Sequence, residues 1–222
     1  MSVQIKHCSF AIFDMDGTLL DSIPWWNRLA LDYLAEKGVK GPEDLNRRIM
    51  TLSVMQASEY LIEHFGLKES PEEITREMNA RVEARYQNEI GLCPGAAEAL
   101  ERMKEQGILM CVATATSLKL ARPALERNGI LHYFDFLLDC HIAGAEKTSP
   151  NIYLMAAERF RARPGDCVVI EDSAYAIRTA REAGFWTIGV YEPEMQDADL
   201  ARSFCHQFVN NLGEIRPGYL ET

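Results

Sequence analysis

Two aspartates stand two residues apart in the stretch AIFDMDGTLLDS, Ala11 to Ser22, directly after an apolar run. Carboxylates at the mouth of a buried strand repel each other and lose hydration, so Asp14 and Asp16 call for a compensating positive charge. A second acid pair, Glu171 and Asp172, closes another apolar run, CVVIED. A hard divalent cation with oxygen ligands resolves such a cluster. Mg²⁺ suits it best, since that ion combines a few carboxylates with water and a phosphate oxygen. Gly17 and Thr18 follow the first pair and let the backbone turn tightly, exposing N–H groups able to hold phosphate oxygens. Thr114, in VATATS, and Lys147, in GAEKTSPNIY, add a hydroxyl and an ammonium after other apolar runs. Singly, Thr114 reads as well as a helix cap, Lys147 as a surface lysine, and Glu171 with Asp172 as acids opening a helix. Their arrival together at successive strand ends is what carries the chemistry.

The elements that must position these groups are short apolar runs. SFAIFD (9–14), GILMCVATA (107–115), FDFLLDC (134–140), DCVVIED (166–172) and GFWTIGVY (184–191) read as strands buried on both faces, and HQFVNN (206–211) as a short edge strand. Between them PGAAEALERMKEQG, LKLARPALERNG, PNIYLMAAERF and SAYAIRTAREAG carry helical spacing, three of them closing on glycine. This alternation predicts an α/β fold, a doubly wound parallel sheet of Rossmann-like design with right-handed crossovers and ligands at the carboxyl ends of the strands. Asp14 and Asp16, as residues i and i+2 of one strand, are expected on one face, roughly 6–7 Å apart.

Residues 23–92 show no strand pattern. PWWNRLALDYLAEKG and SVMQASEYLIEHFG read as helices, and SPEEITREMNARVEARYQNEIG opens on a serine cap followed by acids. Such a stretch is too long for an ordinary crossover. Residues 1–22 and 93–222 are therefore expected to form the α/β core and 23–92 an inserted helical subdomain, with hinges near Asp21–Pro24 and Leu92–Gly95. Met50, Met55, Met78 and Met103 read as core filling. Trp25 and Trp26 read as core of the insert, with one of them a candidate for a substrate entrance. Arg47 and Arg48 read as solvated, with Arg47 the candidate contact for a second anionic group on a substrate.

The 222 residues are 47% hydrophobic and 25% charged, ordinary for a globular chain, and no apolar run is long enough to cross a bilayer. A formal charge of −10 without a basic stripe argues against a nucleic-acid partner. Six scattered cysteines with no CxxC pair suit reduced thiols better than disulfides or zinc. The opening MSVQIKHC lacks the layout of a secretion signal, so a cytoplasmic protein is expected.

The ordered set of DxDGT at 14–18, Thr114, Lys147 followed by SPNIY, and the acid pair in IEDSAYAI resembles the haloacid dehalogenase superfamily of phosphohydrolases. Within it the chain is similar to the subgroup with a helical cap after the first strand, which includes β-phosphoglucomutase and phosphoglycolate phosphatase. The resemblance covers almost the whole chain and implies a role for each matching residue. Asp14 is then the nucleophile that becomes an aspartyl-phosphate, and Asp16 the general acid and later the base. Thr114, Ala115 and Lys147 hold the transferring phosphoryl group. Mg²⁺ lies on Asp14, the backbone carbonyl of Asp16 and Asp172, with Glu171 in direct or water-mediated contact. Ala176 departs from the glycine that relatives often carry. Dehalogenases of the superfamily lack the second acid, so Asp16 favours phosphoryl transfer. The resulting expectation is a Mg²⁺-dependent phosphatase acting on a small phosphorylated metabolite. A β-phosphoglucomutase-like sugar phosphomutase and a catalytically silent binding relative are the alternatives.

Overall fold

The computed structural model describes residues 8–49, 52–193 and 197–215. Along the chain come β1 (Phe10–Phe13), α1 (Ile23–Glu36), α2 (Leu45–Ile49), α3 (Val54–Phe65), α4 (Pro71–Asn88), α5 (Ala96–Glu105), β2 (Leu109–Thr114) and α6 (Leu118–Arg127). Then follow β3 (Phe136–Asp139), α7 (Cys140–Ala143), α8 (Asn151–Phe160), β4 (Cys167–Glu171), α9 (Ala174–Glu182), β5 (Trp186–Val190), α10 (Ala198–Phe204) and β6 (Gln207–Val209). Contacts divide the chain into two compact units, one reaching up to Asp21 and resuming at Gly91, the other Ser22–Ile90.

The first unit is a doubly wound α/β domain. Its strands pair in parallel in the order β3-β2-β1-β4-β5-β6. Every residue of β4 is buried, as are Ala11, Ile12 and Phe13 of β1, because helices cover both faces of the sheet. Ile12, Ala113, Leu138 and Val169 from the strands pack with Tyr153, Ala156 and Ala157 of α8 and with Phe185. Strands β1 to β3 build outward in one direction and β4 to β6 in the other, so the order reverses between β1 and β4. The carboxyl ends beside that reversal form a crevice that no crossover fills. Phe13 stands opposite Ile170 there, which puts Asp14 and Glu171 next to each other beyond the last rung.

β1 ends one residue earlier than its apolar pattern indicates. The N–H of Asp14 still donates to the Ile170 carbonyl at 2.9 Å. Thereafter Leu19 and Leu20 both donate to the Met15 carbonyl and Gly17 donates to Leu20, so the chain curls into a turn. Gly17 supports it with φ +83°. Asp14 thus sits just past the end of β1 and Asp16 in the turn that follows, so the two are not i and i+2 of one strand. The helices α7 and α10 lie outside the helical patterns of the sequence; each spans two turns or fewer, too short for a hydrophobic period to register.

The second unit is wholly helical among its described residues, comprising α1 to α4. Tyr33 and Leu34 of α1, Leu45 of α2, Leu61 of α3 and Ile74 and Met78 of α4 form its core. Ser53 with Gln56 and Ser70 with Glu73 make reciprocal capping boxes at the starts of α3 and α4. Met78 and Met103 are buried as expected, but Met55 is 37% exposed. It falls off the stripe of Ala57, Ser58 and Leu61 that α3 buries; Met50 lies outside the described residues. The Trp26 indole donates to the Tyr86 hydroxyl at 2.9 Å, and the Arg85 guanidinium lies 4.1 Å from the Trp25 ring centre. Trp26 also lines a cavity of about 310 Å³ inside this unit, with Asn27, Ile49, Leu52, Val54 and Met78.

Gly91 to Cys93 belong with the sheet domain, slightly earlier than the composition change near Leu92 indicates. Asp21 N–H donates to the Gly91 carbonyl at 3.0 Å and Cys93 N–H to the Leu19 carbonyl at 2.9 Å, so the outgoing and returning chains pair side by side. Among the described residues no helix is long and apolar enough to cross a membrane.

Just after the return, Gly95 adopts φ +77°, and a Cβ there would meet the backbone nitrogen of Gly213 at 2.2 Å and its Cα at 2.7 Å. Neither atom can swing aside as a side chain would. Gly95→Ala should therefore cost about 2 kcal/mol or more from left-handed strain and overlap together, read as a lowered urea midpoint at constant slope. A midpoint equal to the parent's would contradict this account.

Candidate active site

The crevice between β1 and β4 receives its cation from elsewhere in the chain. Lys147, in the turn between α7 and α8, is 3% exposed. Its ammonium donates to Asp14 Oδ1 and, at 2.7 Å, to Glu171 Oε1. Glu171 is engaged on both oxygens, since the Tyr153 hydroxyl reaches Oε1 at 3.4 Å and the Ser173 N–H donates to Oε2 at 2.8 Å. Asp172, 8% exposed, accepts from the Ser173 hydroxyl at 3.3 Å. Carboxylate oxygens of Asp14, Glu171 and Asp172 lie within 4.8 Å of one another.

Three buried carboxylates against one ammonium leave an excess of negative charge, and the proton affinities register it. Burial pushes Asp14 up, Lys147 pulls it back and Glu171 and Asp16 push it up again, to about 7. Asp172 is held well above the usual carboxylate range by burial and then by the charges of Glu171 and Asp14. Burial alone would depress Lys147, but Asp14 and Glu171 outweigh it and keep the lysine protonated. A compact set of hard oxygen donors short of positive charge fits a small divalent cation, which Asp14, Glu171 and Asp172 together could hold.

Thr114 ends β2, fully buried, and its Oγ1 accepts the Thr116 N–H at 3.0 Å. Ala115, the next residue, is exposed. Asp16 is half-buried, and its Oδ2 accepts from the Thr116 hydroxyl at 2.7 Å. Asp14, Asp172, Glu171 and Lys147 thus converge directly, while Thr114 and Asp16 are linked through Thr116. Arg47 is exposed on α2, in the helical unit, and lines neither the 310 Å³ cavity nor the smaller one beside Trp25. Its neighbour Arg48 pairs with Asp44 at 2.9 Å. Sequence reasoning missed Thr116, Tyr153 and Ser173. Thr116 had a readable signal, a second hydroxyl two residues after Thr114; Tyr153 looked like any apolar position of α8.

A family model for haloacid dehalogenase-like hydrolases matches residues 10–184, and the chain belongs to that family. It is 32% identical over 78% of its length to the "Phosphorylated carbohydrates phosphatase" of Thermotoga maritima, covering 80% of that protein. It is 31% identical over 84% of its length to "Hexitol phosphatase B" of Escherichia coli K12, covering 85% of it. The crystal structure of a provisionally assigned beta-phosphoglucomutase from Thermotoga maritima matches 93% of this chain and 95% of its own, with TM-score 0.82 and 28% identity. The chain is accordingly an enzyme, a hydrolase of the phosphatase class.

The charge excess has a measurable consequence. The folded protein holds Asp14 up to about 7 against an ordinary 3.8, so between those values it binds more protons than the unfolded chain. Stability therefore falls as pH rises through that window, and Asp172 adds in the same direction. With EDTA present, the melting temperature should drop between about pH 5 and about pH 7.5, and excess Mg²⁺ should restore it at the upper value. A melting temperature insensitive to both would contradict the reading of the cluster.

Proposed function

We propose that this enzyme is a Mg²⁺-dependent phosphatase that hydrolyses a small phosphorylated metabolite through a phosphorylated Asp14. Residues 23–92 serve as its cap, the part that selects substrate and excludes bulk water. The observation that carries the reading is the buried ammonium of Lys147 bridging Asp14 and Glu171, beside Asp172. A nucleophilic carboxylate in contact with a fixed cation is what attack on an anionic phosphate requires.

Asp14 attacks phosphorus. The ester P–O bond breaks with its electron pair on the leaving oxygen, and Asp16 delivers a proton to that oxygen. Asp16, now a carboxylate, takes a proton from water as the water oxygen attacks phosphorus. The P–O bond to Asp14 then breaks, and both aspartates return to their starting states. Lys147, the Thr114 hydroxyl and the backbone at Ala115 hold the phosphoryl oxygens. Glu171, with both oxygens engaged by Lys147, Tyr153 and Ser173, keeps the lysine in place. Asp14, Asp172 and the backbone carbonyl of Asp16 would hold magnesium, which supplies Lewis-acid shielding between nucleophile and phosphate. Arg47, exposed on α2, is available to a second anionic group of the substrate.

The relatives named for phosphorylated carbohydrates and hexitols support a sugar or polyol phosphate as substrate. A sugar phosphomutase is the second reading, favoured by the 28% identical beta-phosphoglucomutase structure. Six cysteines kept as thiols suit a reducing compartment, and we place the activity in the cytoplasm.

A panel of phosphorylated sugars and polyols tests this directly. The wild type should release inorganic phosphate with Mg²⁺ and not with EDTA; phosphate moved to another position of the sugar, without release, would favour the mutase. Asp14→Asn should lose about a thousandfold or more in kcat and trap no beryllium fluoride adduct, and Asp16→Asn should lose about 10²–10⁴-fold. Near-normal turnover by Asp14→Asn would overturn the assignment of the nucleophile.

A further inference from the structure

Thr116 makes two contacts that the catalytic roles above leave unexplained. Its side-chain hydroxyl donates to Asp16 Oδ2 at 2.7 Å across a separation of 100 residues. Its backbone N–H donates to Thr114 Oγ1 at 3.0 Å. One residue in the connection from β2 to α6 thus touches both the proposed acid–base and the hydroxyl proposed to hold phosphate.

We infer that Thr116 is a positioning residue that orients the Asp16 carboxyl for proton delivery and couples that aspartate to the phosphate cradle; the inference rests on the phosphatase reading above. A hydroxyl hydrogen pointed at Oδ2 satisfies that oxygen as an acceptor. The contact fixes the carboxyl plane relative to the β2 terminus. On the other side, Thr114 Oγ1 accepts from a backbone N–H, so its own hydrogen is directed elsewhere, toward the phosphoryl oxygens. General acid catalysis depends steeply on such alignment, because a displaced donor no longer meets the leaving oxygen as the P–O bond breaks.

Leaving groups provide the test. A nitrophenolate departs with little need of a proton, whereas an alkoxide needs one in the transition state. The comparison uses kcat/KM, which reports the first phosphoryl transfer from the ester to Asp14, for p-nitrophenyl phosphate and for an alkyl phosphate such as glycerol phosphate. Thr116→Val preserves shape and removes the hydroxyl; Thr116→Ser keeps the hydroxyl and removes a methyl. We expect Thr116→Val to lose about tenfold to a hundredfold on the alkyl ester and several times less on the aryl ester, with Thr116→Ser recovering most of the difference. Equal losses on both esters, no loss on either, or failure of the serine variant to recover would overturn the inference, each read on protein whose melting temperature shows it folded. A wild type that cleaves neither ester would instead overturn the phosphatase reading, and the positioning role with it.

Discussion

Three carboxylates are buried around one ammonium at the point where the sheet reverses its order, and much of the domain exists to sustain that arrangement. Taking such charges out of water is costly, and removing one partner from a buried pair typically costs about 3–5 kcal/mol. Lys147 makes Asp14 and Glu171 tolerable together, yet it leaves Asp172 and part of the Asp14 charge uncompensated. The fold thus holds an electrostatic imbalance in reserve. The imbalance suits a ligand set that brings its own cation and takes a phosphate between them.

Placement of these groups follows from backbone pairing. Asp14 and Glu171 follow the adjacent residues Phe13 and Ile170, and the ladder extends one bond past β1 through the Asp14 N–H. The acids therefore follow two strands buried except at Phe10, while Lys147 arrives from the connection after β3 and Thr116 from the one after β2. Ser173 contributes from the first turn beyond β4, where its N–H fixes Glu171 and its hydroxyl meets Asp172.

The alternation of apolar runs and helical patterns was sufficient to read the parallel sheet, because strands covered on both faces leave a plain trace in composition. The residues at strand tips were legible for the same reason: Asp14, Thr114 and Glu171 are abrupt polar stops after greasy segments. Less visible were features decided by geometry beyond the strand. The turn at Met15–Leu20 aims Asp16 at Thr116, and no periodicity encodes that. Tyr153 reached Glu171 from a helix whose apolar stripe concealed its hydroxyl. The short helices α7 and α10 bury so few residues that no repeat forms, and Met55 shows that an apolar side chain beside a buried stripe need not join it.

The chain leaves the sheet domain at Asp21 and re-enters at Gly91 with those two residues joined by a hydrogen bond. A loop whose mouth is already shut imposes no tension on the strands, whatever its contents. Evolution can then treat the 69 intervening residues, Ser22 to Ile90, as a replaceable cassette. The acids at the ends of β1 and β4 stay where they are whichever segment fills that interval.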